Sequence, residues 1–137
     1  MSFQFSSRSL NNLRGVHPDL VKVAKRALQL TDVDFMVIDG IRTLEEQRIL
    51  VRSGKSRTMR SRHLTGHAID VVPWGDFDGD GDVDGKDLFD FWPQYKKMAG
   101  AFKVAAEELG VDLQWGGDWK TFVDGPHFQL SHRAYPA

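Results

Sequence analysis

The chain has 137 residues, 41% of them hydrophobic and 27% charged, with a net charge of −1 and no cysteine. A chain of this length makes one domain around one core, the near-zero charge gives no general attraction to nucleic acid, and no stretch approaches the ~20 apolar residues of a membrane span. The missing cysteines exclude disulfides and thiolate ligands, so any metal must be held by His, Asp or Glu.

The opening MSFQFSSRSLNNLRGV has no apolar run of the secretory type, so synthesis in a cytoplasm without a signal peptide is expected. In HPDLVKVAKRALQL, Pro18 suits a first helical turn, and Leu20, Val21, Ala24 and Leu28 fall on one face, which predicts a helix. DFMVIDG is a short apolar run ended by Asp39 and Gly40 and predicts a buried strand. Thr43 and Glu46 make a capping box that opens a helix over LEEQRILVRS, before Gly54. After the motif SRHLTGHAID come an Asp/Gly-rich stretch at 75–87, a helical run QYKKMAGAFKVAAEELG behind Pro93, an alternating VDLQW and a last strand in HFQLS. Strands and helices in mixed order, without regular βαβ spacing, repeats or linkers, predict a single compact α+β domain over residues 1–137.

The motif at 61–70 decides the chemistry. His63 and His67 are four apart, which on a helix would pair them as in a zinc-binding HExxH site, but Gly66 and the β-rich AIDVV before Pro73 oppose a helix. If His63 sits in a turn and Ala68–Val72 form a strand, Asp70 faces the side of His63 while His67 points elsewhere. A catalytic zinc takes three protein ligands and leaves a fourth position for water, so a third ligand must come from afar, and His127 in VDGPHFQL is available. His17 and His132 carry no such signal.

Ser61, His63, Gly66, Ala68 and Asp70, read as S-x-H-x-x-G-x-A-x-D, together with the late GGDWKTFVDGPHFQL, resemble the LAS zinc peptidases. The resemblance is greatest to phage endolysins and bacterial lysins of the L-alanyl-D-glutamate endopeptidase (VanY/CwlK-like) type, and it runs from GIRT at 40–43 to HFQL at 127–130. It implies a small antiparallel sheet flanked by helices, of the Hedgehog/D-Ala-D-Ala peptidase kind. It also implies zinc on His63, Asp70 and His127, with Asp124 as acid/base carboxylate. Asp124 is otherwise a turn residue before Gly125. Arg42 resembles the family's substrate-site arginine, whose fork suits a carboxylate or an oxyanion. Ser61 is a candidate hydrogen-bond partner for substrate, Trp119 a candidate wall of the cleft, and Asp118 structural. Since a metal-bound water supplies the nucleophile, no G-x-S-x-G is needed, and none is present.

Two further features stand apart. Arg52, Lys55, Arg57, Arg60 and Arg62 crowd a loop before the motif, either as a solvated loop or as a basic lip that steers the carboxylates of peptidoglycan stems. DFDGDGDVDGKD, residues 76–87, fits a twelve-residue EF-hand-type calcium loop. Asp76, Asp78 and Asp80 take positions 1, 3 and 5, with Gly81 at the sharp turn. Asp82 then acts through its carbonyl, Asp84 through water, and Asp87 closes the loop where Glu is usual.

The expectation is therefore a monomeric zinc endopeptidase with calcium (Ca2+) beside zinc (Zn2+), acting on peptidoglycan and on neither nucleic acid nor membrane. Holin-type release would bring it to the wall. The alternatives are a D-Ala-D-Ala carboxypeptidase of the same fold, whose members usually have Glu where Asp124 stands, and a calcium-dependent non-catalytic binding module.

Overall fold

The computed structural model describes residues 3–56 and 58–136. The elements are α1 Ser7–Asn12, α2 Pro18–Leu30, β1 Phe35–Asp39, α3 Leu44–Arg52, a 3-10 turn Arg62–Thr65, β2 Ala68–Pro73, α4 Gly85–Phe89, α5 Trp92–Leu109, β3 Leu113–Trp115, a 3-10 turn Gly116–Asp118 and β4 His127–Leu130. The strands form one antiparallel sheet in the order β1-β2-β4-β3. This is the expected α+β architecture, a small antiparallel sheet with helices packed on it.

Period-two alternation gives the sheet two unlike faces. Phe35, Val37, Ile69, Val71, Phe128 and Leu130 join a buried cluster with Leu20, Val23, Ala24 and Ala27 of α2 and Met98, Ala99, Phe102 and Ala105 of α5. Phe102 stacks on Phe128 at 4.1 Å between ring centroids. The residues between these apolar ones, Asp70 on β2 and His127 and Gln129 on β4, therefore project from the other face. Cross-strand register sets Asp70 opposite His127 on one side and opposite Asp39 on the other.

The outer edge of β1 is capped by α1, where Ser9 Oγ accepts from the Val37 amide at 3.1 Å and Asn12 Nδ2 donates to the Val37 carbonyl at 2.9 Å. The expected helices and strands are present, and the Thr43/Glu46 capping box is made in both directions. Helices α1 and α4, of six and five residues, were not expected, because elements this short carry too few turns for a periodic signal. His63 lies in a 3-10 turn capped by Ser61 and ended by Gly66 at φ 76°. The 76–87 segment enters from β2 and leaves into five-residue α4, so it is not the helix–loop–helix of an EF-hand, and any likeness is confined to the loop. Among the described residues, no helix is long and apolar enough to cross a membrane.

Candidate metal centre and active site

His63, Asp70 and His127 converge, each offering a ligand atom within 4.8 Å of the others. His63 Nε2 and His127 Nδ1 each stand 3.3 Å from Asp70 Oδ1. The opposite ring nitrogens are engaged: His63 Nδ1 lies 2.8 Å from the Gly40 carbonyl, and His127 Nε2 lies 2.8 Å from Gln129 Oε1. Both partners are acceptors, since Gln129 Nε2 donates onward to Gln114 Oε1. Each outer nitrogen therefore carries the proton, and each inner nitrogen presents a lone pair.

Three electron-rich atoms thus face one another, and Asp70 Oδ1 is buried without a hydrogen-bond donor. A cation resolves this arrangement. Two imidazole nitrogens and one carboxylate oxygen, each oriented from behind, fit zinc with an open fourth position. Without the ion, burial opposes the charge on Asp70, but the two imidazoles outweigh it and hold the carboxyl well below the usual range. The His127 imidazole is correspondingly raised: burial works against its charge, and Asp70 prevails.

Arg42 stands behind the carboxylate. It donates to Asp39 Oδ2 through Nε (3.0 Å) and Nη2 (2.6 Å), to Gln47 Oε1 through Nη1 (2.8 Å), and to Asp70 Oδ2 through Nη2 at 3.4 Å. Its fork is thus spent largely on holding Asp70 and Asp39, a positioning task, whereas the sequence suggested substrate contact. Ser61 is likewise engaged, its Oγ accepting from the His63 amide at 3.2 Å.

These residues floor a cleft of ≈ 620 Å³, lined also by Asp124, Trp119 and Phe122. Asp124 is placed by the backbone, its amide donating to Gly116 at 3.0 Å and its carbonyl accepting from the His127 amide at 3.2 Å. A side chain at Gly116 would run into the Asp124 carbonyl, so this close approach requires glycine. Burial first, and the charge of Asp70 second, push the Asp124 carboxyl above the ordinary range. The Trp119 ring lies 5.2 Å from that of His127. Gly40, Asp39, Gln47, Gln114 and Gln129 were missed by sequence reasoning, and only the end of the β1 apolar run at Asp39 and Gly40 pointed near them.

His67 stays outside the triad, its ring against His17 at 5.4 Å and its Nδ1 on Thr65 Oγ1. The expected basic lip is partly overturned. Arg62 is buried, with Nη2 on the carbonyls of Leu130, Ser131 and Tyr135, because the C-terminal segment passes over it. Lys55 and Arg60 do reach the cleft, Arg52 is exposed, and Arg57 lies outside the described residues. In the acidic loop, ligand atoms of Asp76, Asp78, Asp80 and Asp87 gather within 4.8 Å. Gly81 takes φ 96°. Asp87 is fully buried and accepts from the amides of Phe77, Asp78 and Asp84. The side chains of Asp82 and Asp84 fall outside this group, and Asp84 caps α4.

Asp70 and His127 on the polar face of the sheet, joined by His63 from the turn before β2, gather the ligands of one zinc beside a carboxylate in an open cleft, and this defines a zinc metallopeptidase. A model of the family described as phage L-alanyl-D-glutamate peptidase matches residues 1–131, and the chain belongs to that family. It is 39% identical over 127 residues to the L-alanyl-D-glutamate peptidase of Escherichia phage T5, covering 90% of this chain and 87% of that protein. It is 33% identical over 138 aligned residues to the L-alanyl-D-glutamate peptidase of Listeria phage A118, covering 98% of this chain but 45% of that protein. The crystal structure of the Serratia marcescens L-Ala D-Glu endopeptidase ChiX superposes with a TM-score of 0.85 at 49% identity, over 99% of this chain and 96% of the other.

Proposed function

We propose that the protein hydrolyses the L-Ala–D-Glu bond of peptidoglycan stem peptides, as a zinc-dependent endolysin that acts in host lysis. The observation that carries the chemistry is Asp70 Oδ1, buried and donorless between two imidazole lone pairs. The bond is inferred from the relatives, which carry L-alanyl-D-glutamate peptidase names at 33–39% identity. Bound at the triad, zinc supplies an activated water and polarises the scissile carbonyl.

The chain's own residues do the rest. His63 and His127 are fixed with their inner nitrogens toward Asp70, because Gly40 and Gln129 hold their outer N–H groups. Arg42 keeps Asp70 aimed. Asp124, in the same cleft, takes the proton of the attacking water and hands it to the leaving amine, a task its raised pKa suits. Trp119 shields the His127 side from solvent, and Ser61 offers its hydroxyl hydrogen to substrate.

A calcium ion on the 76–87 loop is the second part of this reading. Supporting it are the four gathered carboxylates, the left-handed Gly81 and the upward push on Asp78. For Asp78 the Asp80 amide favours the charge, but burial, sharing with Asp76, and the charges of Asp80 and Asp87 prevail. The loop begins six residues after Asp70, and calcium, scarce inside cells and plentiful outside, would order it only at the wall. The protein would act as a monomer, after synthesis in the host cytoplasm and holin-type release.

The test is digestion of purified sacculi, with new termini identified by mass spectrometry, with and without chelator and restored zinc. New D-Glu amino termini that depend on zinc are expected. Release of terminal D-Ala instead would transfer the protein to the carboxypeptidase reading, and undiminished lysis in chelator would refute the metal.

A further inference from the structure

The next inference rests on the endopeptidase reading and concerns which parts of the substrate the cleft holds. The L-Ala–D-Glu bond has unlike neighbours on its two sides. On the amino side stands a single alanine whose nitrogen is acylated by the lactyl arm of N-acetylmuramic acid, so a sugar ring lies within about 7 Å of the scissile carbonyl, two residue lengths of chain. On the carboxyl side stands D-Glu, which continues through its side chain and keeps its main carboxylate free. One side is a neutral ring and the other an anion.

Two of the segments that line the cleft differ in the same way. The stretch before the 61–70 motif brings the exposed cations Lys55 and Arg60. The loop from Gly116 to Asp124 brings Trp119 and Phe122. This aromatic segment is fixed, since the Gly116 carbonyl accepts from the amides of both Trp119 (3.2 Å) and Asp124 (3.0 Å). It begins beside the metal centre, with the Trp119 ring 5.2 Å from that of His127.

Phe122 is 50% exposed and, at φ 52°, is the one non-glycine residue with positive φ among the described residues. A bulky side chain in that conformation is strained, and such strain gathers where it positions something. Here it sets an aromatic ring at the rim of a polar cleft, where glycine would relax the backbone. The apolar C–H face of a pyranose is a fitting partner, because its hydrogens meet the electron-rich face of the ring.

We infer that Trp119 and Phe122 form a glycan subsite, an aromatic wall that stacks on the N-acetylmuramic acid ring. The stem peptide then runs from that wall across the metal centre, with the D-Glu carboxylate directed to Lys55 and Arg60.

The test compares two substrates with the zinc-loaded full chain: a disaccharide-linked stem peptide, and the same peptide with a simple acetyl group in place of the sugar. Wild type should favour the first by about tenfold in kcat/KM. Phe122→Gly should lose most of that preference through KM. The loss should fall on the sugar-bearing substrate, so that the ratio of the two kcat/KM values drops toward one. Phe122→Leu, which stays apolar but has no flat ring, should lose the preference too. Equal use of both substrates by wild type, or an intact preference in both variants, overturns the subsite. If wild type cleaves neither peptide between L-Ala and D-Glu, the endopeptidase reading falls and takes the subsite with it.

Discussion

At the scale of single residues, the triad and Asp124 make separable predictions. His63→Ala, Asp70→Ala and His127→Ala should each lose zinc, measured by elemental analysis, and wall lysis with it, because two ligands secure neither affinity nor geometry. His67→Ala should keep both, its ring lying against His17 and outside the triad. Asp124→Asn should keep zinc and lose at least about a hundredfold in turnover, and near-normal turnover would move the base elsewhere. In the metal-free protein, Asp124 and Asp70 should titrate on opposite sides of the ordinary aspartate value of about 3.9. The two shifts act on stability with opposite sign. Asp70, depressed, contributes stability above the unfolded pKa that is lost as pH falls through its folded value, whereas Asp124, raised, is a penalty at neutral pH that is relieved as pH falls. Asp124→Asn should therefore raise the melting temperature of metal-free protein at pH 7 while it disables catalysis. A fall in melting temperature would contradict the assigned shift.

At the scale of elements, legibility followed the strength of each local signal. Helix α2 announced itself through Pro18 and an apolar face, and α3 through its capping box; β4 was found because His127 opens an apolar run. Helix α1 left no periodic trace, yet it closes an edge that would otherwise be open, with Ser9 on the Val37 amide. Ser9→Ala should leave that buried amide without its acceptor and cost about 1–3 kcal/mol in denaturant unfolding, and an unchanged midpoint would show that the amide finds another acceptor or water. The triad could be read in sequence because residue types and spacing persist in the chain. Its supports could not, since the Gly40 carbonyl, Gln129 and Gln47 act through positions that only the sheet register brings together. Arg62 failed for the same reason: an arginine in a basic run reads as solvated until the C-terminal segment is seen to cover it.

At the scale of the whole molecule, one sheet separates two tasks, with the apolar face packing on α2 and α5 and the polar face carrying the chemistry. If the acidic loop takes calcium, selective calcium removal with zinc retained should lower both melting temperature and lysis, and Asp76→Ala with Asp80→Ala should reproduce the loss. Equal behaviour with and without calcium from micromolar to millimolar concentrations would eliminate that role. The register has a consequence of another kind. Asp39, Asp70 and His127 lie on a single rung across β1, β2 and β4, so residues 88 positions apart in the chain become neighbours in one line. A metal held by Asp70 and His127 on that rung and by His63 in the turn before β2 is a rivet between β2 and β4, closing the long loop of backbone from residue 70 to residue 127. Amide hydrogen exchange should then slow on zinc binding along this rung and in the turn that bears His63, while the amides of α2 and α5, protected by their own packing, keep the rates they had without the metal.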